Sequence, residues 1–316
     1  MENFIFSVNA VAPTFITAFI GYYLKQKGFF SDEFIKNLDK YCFTVALPAL
    51  MIKDIGDADI TQMFSAEFVA ICFIATTFLF FGYYIIMYPF FKDKKFVASF
   101  VQCCARGSVA VFGASIAINI YGNAGVTPLM MAVVVPLYNI YTVVLFTLKS
   151  DDGGRMFSTK NLKKMAKGIV TNPLIIGIVI GAVVSITNFT MPAFIYKPMS
   201  SIASTGTPMA LLSLGASLHF DKIGKGLRTI LASNFFKLVG NGLIILPIAV
   251  ALGMRDGHLI ALLIMTSSPC TVTAYIMAKS MGGDGEFSSG AVMMSTLLST
   301  VTITFWLTLL KNLALI

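Results

Sequence analysis

The chain has 316 residues, is 57% hydrophobic and only 12% charged, and has a mean hydropathy of +0.82. Soluble domains are about 25% charged, so this chain has too few charged side chains to coat a water-facing surface; a soluble enzyme, a disordered chain and a nucleic-acid binder are excluded. The net charge of +8 therefore calls for an explanation other than a polyanionic partner.

A transmembrane helix needs about 20 predominantly apolar residues. In chain order the segments that qualify are roughly 5–24, 34–52, 65–91, 96–119, 126–148, 168–187, 198–218, 227–252, 258–279 and 287–310. Their apolar runs are continuous, not alternating, which predicts helices and not barrel strands. The expected fold is an all-α integral membrane protein with ten transmembrane helices. Met1-Glu2-Asn3 places no basic residue before the first apolar run, so that run is expected to be a retained span and not a cleaved signal. The second, fourth, seventh and ninth spans are the weakest, carrying Ser, Thr, Gly, Pro or charge.

Of the 23 Lys and Arg, seventeen lie in or beside the odd-numbered connections and four in the even-numbered connections and tails. The remaining two, Arg106 and Lys237, lie inside spans. This asymmetry places the odd connections in the cytoplasm and both termini outside a multi-pass protein of the cell membrane. The charge sets topology.

The longest polar stretch, 149–167, is expected as a cytoplasmic linker between two five-helix halves, 1–148 and 168–316. At a constant offset of 160, Pro13 falls on Pro173, Gly21 on Gly181, Phe29 on Phe189, Pro48 on Pro208 and Ser108 on Ser268. An odd number of spans per half makes the second half enter from the opposite side. That predicts an inverted repeat, whose binding site lies where two discontinuous helices meet at the midplane.

The fourth and ninth spans are the candidates for those helices. Pro269 has no N–H and clashes with the preceding turn, so the ninth should break there. Around the equivalent position of the fourth stand Gly107 and Gly113, which can supply the break without proline. Half-helix N-termini freed in this way favour an anionic group. An ordinary kink with packing glycines is the competing reading.

Arg106 offers a permanently charged fork suited to a carboxylate; structural pairing or snorkelling would also account for it. Lys237 could pair with a carboxylate, replace a coupling cation or anchor structure. Tyr138 and Asn139 follow Pro136 in the fifth span, and Ser108, Ser268, Thr271 and Thr273 bring hydroxyls to the two breaks. Interhelical hydrogen bonding is the alternative for Tyr138 and Asn139, and satisfying the backbone of a kinked helix is the alternative for Ser268, Thr271 and Thr273. Gly177 and Gly181 form a GxxxG pair that predicts close helix packing, with a dimer interface as one setting. Asp39, Asp54, Asp57, Asp59 and Glu67 sit near span ends and are expected to be solvated, which argues against a proton relay. The five cysteines show no CxxC spacing and only two histidines are present; no metal or other cofactor is expected. With no HExxH or GxxxxGK motif, the chain is not expected to be an enzyme.

Five stretches resemble the auxin efflux carrier family, which includes bacterial malate and malonate permeases. They are Leu47-Pro48-Ala49-Leu50, Arg106-Gly107-Ser108 with Gly113, Val135-Pro136-Leu137-Tyr138-Asn139, Thr207 to Gly215, and Ser268-Pro269 through Ala278. The resemblance implies an inverted five-plus-five repeat with helices 4 and 9 crossed, similar to the fold of Na⁺/H⁺ antiporters and bile acid symporters. It further implies an elevator movement of helices 3–5 and 8–10 against a scaffold of helices 1, 2, 6 and 7. The implied cargo is a small organic acid, malate- or malonate-like, moved through a site of Arg106, Gly107, Ser108, Gly113, Tyr138, Asn139, Ser268, Pro269, Thr271 and Thr273, with Pro48 and Pro208 on the scaffold side. An auxin-like aromatic carboxylate is the alternative cargo, and a non-transporting sensor that keeps the carrier fold is the alternative role. Coupling to H⁺ or Na⁺ and a homodimeric state stay open. The chain departs from the family pattern at Ser108, where bacterial relatives often carry Asn: a hydroxyl donates one hydrogen bond and an amide two.

Overall fold

The computed structural model describes residues 2–57, 65–109, 116, 120, 126–147, 159–187 and 189–316. Among them the regular structure is entirely helical. Helix α1 spans Glu2–Gln26. Helices α2 (Asp32–Tyr41) and α3 (Leu47–Gly56) are joined by a π-helical turn, Cys42–Ala46. Pro48, in the first turn of α3, has no amide to offer the helical ladder, and the wider turn just before it accommodates that gap. Next come α4 (Ala66–Met87), α5 (Lys94–Ala105) and α6 (Thr127–Thr147).

The second half begins with α7 (Thr159–Val170) and α8 (Pro173–Ile186). Between them Asn172 Oδ1 accepts from the amide of Leu174 at 2.9 Å and so caps α8. Helix α9 is Ala193–Ala216. Helices α10 (Phe220–Phe235) and α11 (Asn241–Ala251) are joined by a second π turn, Phe236–Gly240. Helices α12 (Asp256–Ser267) and α13 (Val272–Ser280) form one bent pair, and α14 is Gly285–Asn312.

Four described helices are long and apolar enough to cross a bilayer: Ala66–Met87, Thr127–Thr147, Gly226–Ala251 and Gly285–Asn312. The pair α12–α13, bent by 40°, makes a fifth if counted as one span. This is a multi-pass membrane protein. Other expected spans depart from an uninterrupted apolar helix for visible reasons. The second is divided by its π turn, the sixth is only 14 residues long, and the seventh carries Pro198, Pro208 and several hydroxyls. The fourth leaves the helix after Ala105, and most of its remaining length lies outside the described residues, as does most of the expected linker.

Two close helix crossings use glycine. Gly215 of α9 meets the backbone of Ala18, and Gly21 of α1 meets the backbone of Leu212, with no room for a Cβ at either. On α8, a Cβ at Gly177 would lie 2.6 Å from the carbonyl oxygen of Pro48, and one at Gly181 3.0 Å from that of Met51. The GxxxG pair thus packs α8 onto α3 within the chain, the small-residue contact expected between membrane helices. The broken pair is the most enclosed part of the molecule: every residue from Leu259 to Cys270 is buried. Large apolar side chains are instead exposed on α1 (Ile16, Phe19, Ile20), α4 (Phe73, Ile74, Phe78) and α8 (Val179, Val183, Ile186). An outward apolar face around a polar-containing interior suits a lipid surround.

Candidate functional site

The two breaks touch. Helix α5 ends at Ala105 and Arg106–Ser108 run non-helically; α12 ends at Ser267 and Ser268–Thr271 run non-helically into α13. The amide of Ser108 donates to the carbonyl of Pro269 at 2.8 Å. The N–H that Pro269 lacks would have served the Met265 carbonyl, which accepts instead from Tyr138 Oη at 3.0 Å and Lys237 Nζ at 3.1 Å, and part of the polar backbone exposed by both breaks is satisfied across the Ser108–Pro269 contact. Thr271 caps α13, its Oγ1 accepting from the amide of Thr273 at 3.4 Å, and Ser295 of α14 accepts from the amide of Cys270 at 3.0 Å. Gly107 is confined here: a Cβ would sit 2.6 Å from Ser268 Oγ and 3.0 Å from the carbonyl oxygen of Met265.

The opposite poles of the half-helices carry their own counter-groups. Lys237, fully buried in the second π turn, donates to the carbonyls of Thr266 at 2.7 Å and Met265 at 3.1 Å. Asn241, one helical turn later, donates to Cys104 O at 2.8 Å and Thr266 O at 3.3 Å, and so joins the C-terminal ends of α5 and α12. Both ends carry partial negative charge, which an ammonium and an amide N–H complement. The structural role allowed for Lys237 is thus met by two carbonyls. Asn241 was not anticipated; its spacing four residues after Lys237 was the available signal, since it puts both on one helix face.

Arg106 is 3% exposed. Its Nη2 donates to Asn139 Oδ1 at 3.1 Å, its Nη1 to Thr142 Oγ1 at 3.3 Å and to Met277 Sδ at 2.9 Å, and Nε has no partner. The guanidinium lies 6.0 Å from the centroid of the Tyr138 ring. Among the described residues neither Arg106 nor Lys237 has a carboxylate partner. Ser268 Oγ, buried beside Gly107, is also without a hydrogen bond.

A cavity of about 70 Å³ opens at this contact. Of the residues anticipated for the site, Arg106, Gly107, Ser108, Tyr138, Asn139, Pro269, Thr271 and Thr273 line it, and Ser268 stands directly behind Gly107. Pro48 and Pro208 are not on its walls: Pro48 packs under Gly177, and Pro208 lies on the exposed side of α9. Gly113 lies outside the described residues. The far wall instead comes from Thr14 of α1, Leu50, Met51 and Asp54 of α3, and Thr207 and Leu211 of α9. The sequence offers none of these as a binding residue: Asp54 reads as a solvated acid near a span end, Leu50, Thr207 and Leu211 fall in family-like stretches without marking a site, and Thr14 and Met51 look like ordinary span residues.

The acidic residues near span ends are not all solvated. Asp39 is 4% exposed. It accepts from Ser213, and Lys279 Nζ lies 2.7 Å from its Oδ2. Tyr275, on the same side of α13 as Lys279, also approaches it and hydrogen-bonds Ser217 at 2.7 Å. Its partners lie more than 170 residues away in sequence, which is why its burial could not be read locally.

A model of the family described as "membrane transport protein" matches residues 6–307. The chain is 21% identical over 310 residues to a Rhizobium meliloti protein named "Putative malonate transporter", covering 96% of this chain and 95% of that one. It is 21% identical to an uncharacterized transporter of Methanocaldococcus jannaschii (96% and 99% covered) and to one of Escherichia coli K12 (96% and 97% covered). With the broken-helix contact and a whole-length match in hand, the assignment is direct: the chain belongs to the membrane transport protein family, that of the auxin efflux carriers.

Proposed function

We propose that the protein is a secondary carrier of small organic anions of the malate and malonate class. The observation that carries this reading is Arg106: a buried guanidinium on the wall of the central cavity, with no carboxylate partner among the described residues and an unpartnered Nε. A charged side chain at membrane depth costs about 2.5–3.5 kcal/mol on insertion scales. A carboxylate entering the cavity would offset that cost and complete the fork. Ser108, Asn139 and the hydroxyls of Thr271 and Thr273 supply neutral polar contacts beside it.

Transport on this reading proceeds by elevator-type alternating access. Helices α4, α5, α6 and α10 to α14, with the two breaks, form the moving unit. Helices α1, α2–α3, α8 and α9 form the scaffold. The cavity draws its walls from both groups, as a site that changes access by sliding one against the other requires. The inverted repeat is supported by the contact itself, since Ser108 and Ser268 are equivalent at the offset of 160 and both stand at the meeting of the breaks. The seventeen basic residues at the odd connections support both termini outside the cell membrane. The name of the Rhizobium meliloti relative favours a short dicarboxylate over an aromatic acid.

Purified protein in liposomes tests this. Labelled malonate and malate should accumulate in protein-dependent fashion, and labelled indole-3-acetate should not. Absence of flux for every organic acid tried, with folded and correctly inserted protein, would contradict the carrier reading.

A further inference from the structure

Arg106 and Asp54 are the two charged residues that the described part of the chain places on the cavity walls. They come from different elements. Arg106 belongs to the break of the fourth span, and Asp54 to α3, two residues past the expected end of the second span. Thr14, Thr207 and Leu211 flank Asp54 on the same scaffold side. An ionised Asp54 cancels the field of Arg106 for any anion large enough to face both. A monoanion can sit against the guanidinium and turn its neutral end toward α3. A dicarboxylate that fills the cavity must bring its second carboxylate toward Asp54.

Deepening the carrier reading and resting on it, we infer that Asp54 is a charge-selecting residue of this site, admitting a dicarboxylate only when its own carboxyl is protonated. Asp54 is half-buried, and desolvation pushes its carboxyl above the usual range, with Lys53 opposing and Asp57 adding to the rise. The other ionisable groups around it are accounted for among the described residues. Lys53 is paired with Asp57 at 3.1 Å, and Tyr196 of α9 donates to Asp57 at 2.7 Å. Arg106, Tyr138 and Cys270 line the same cavity, and α8, which packs on α3, supplies none. Because α3 belongs to the scaffold in this reading, the proton on Asp54 does not travel with the cargo. It acts at loading, so uptake follows the pH at the cavity mouth and needs no pH gradient.

The test is uptake of labelled malonate into liposomes by wild type, Asp54→Asn and Asp54→Ser, with equal pH inside and out. Every protein meets the same malonate protonation, so the ratio of variant to wild-type uptake isolates Asp54. That ratio should rise several-fold with pH over the range in which Asp54 loses its proton, a range displaced upward from that of an ordinary carboxyl. Agreement between the two variants separates loss of the charge from any local disturbance by one side chain. A ratio that stays flat, with wild-type flux intact, overturns the role of Asp54 and leaves the carrier reading standing. No malonate or malate flux by any of the three proteins overturns both.

Discussion

Lys279 Nζ lies 2.7 Å from Asp39 Oδ2 and ties α13 to α2. The carboxylate is buried, whereas the lysine side chain keeps 35% of its surface exposed. Tyr275 on α13, Ser213 on α9 and Ser217 just past the end of α9 surround the pair. The cluster therefore pins the helix that leaves the ninth-span break to both α2 and α9. Lys279→Met leaves Asp39 buried without its cation, which should lower stability by about 2 kcal/mol. That is below the usual 3–5 for a fully buried pair, because the lysine is partly solvated. The midpoint of thermal unfolding in detergent measures this, and Asp39→Asn combined with Lys279→Met should be less destabilising than Lys279→Met alone. A double-variant loss equal to the sum of the separate Asp39→Asn and Lys279→Met losses would show that the pair is not coupled.

Gly107 is held by its neighbours, not by its backbone angles. An added Cβ would meet Ser268 Oγ at 2.6 Å, the Met265 carbonyl oxygen at 3.0 Å and Lys237 Nζ at 3.2 Å. Gly107→Ala should force the two breaks apart at a cost of about 1–3 kcal/mol and reduce anion uptake at least about tenfold, as expected when binding groups are displaced by an ångström. Uptake within about twofold of wild type would show that the breaks tolerate separation.

Lys237 answers two carbonyls at the C-terminal end of α12. Lys237→Met keeps the chain length and removes the donors. It should lower the unfolding midpoint by the equivalent of about 1.5–3 kcal/mol, the net worth of hydrogen bonds from a charged donor, while the Met265 carbonyl keeps Tyr138 and the Thr266 carbonyl keeps Asn241. Its effect on malonate affinity should be smaller than that of removing Arg106, since Lys237 is not on the cavity wall. A purely functional Lys237 would show the reverse pattern, with stability intact and affinity lost.

Much of the site was readable because its signals are local. Pro269 removes a helical N–H and stands amid Ser267, Ser268, Thr271 and Thr273, whose hydroxyls can serve a broken backbone, and an arginine between apolar runs needs a polar reason to be there. Glycine beside Arg106 and hydroxyls beside Pro269 mark the same places. What could not be read depends on distant neighbours. Asp39 sits among Lys36 and Lys40 and looks like a solvated turn residue; only the approach of α9 and α13 buries it. Asp54 resembles any acid at a helix end until α3 is placed on the same cavity as Arg106. Gly177 and Gly181 signalled close packing correctly, yet no local feature tells whether the partner is α3 or a second copy. The two π turns, Cys42–Ala46 and Phe236–Gly240, leave no motif at all.

The most direct test of the central claim is the rate and affinity of labelled malonate uptake by Arg106→Gln beside wild type in the same liposomes. Glutamine retains hydrogen bonding to Asn139 and Thr142 but loses the charge and the fork. Uptake at low substrate should fall by about 10- to 100-fold, the loss expected for removing a charge-assisted contact worth roughly 1.5–3 kcal/mol, while the unfolding midpoint changes little. Malonate uptake with unchanged affinity in Arg106→Gln would contradict the assignment of Arg106 as the anion-binding group.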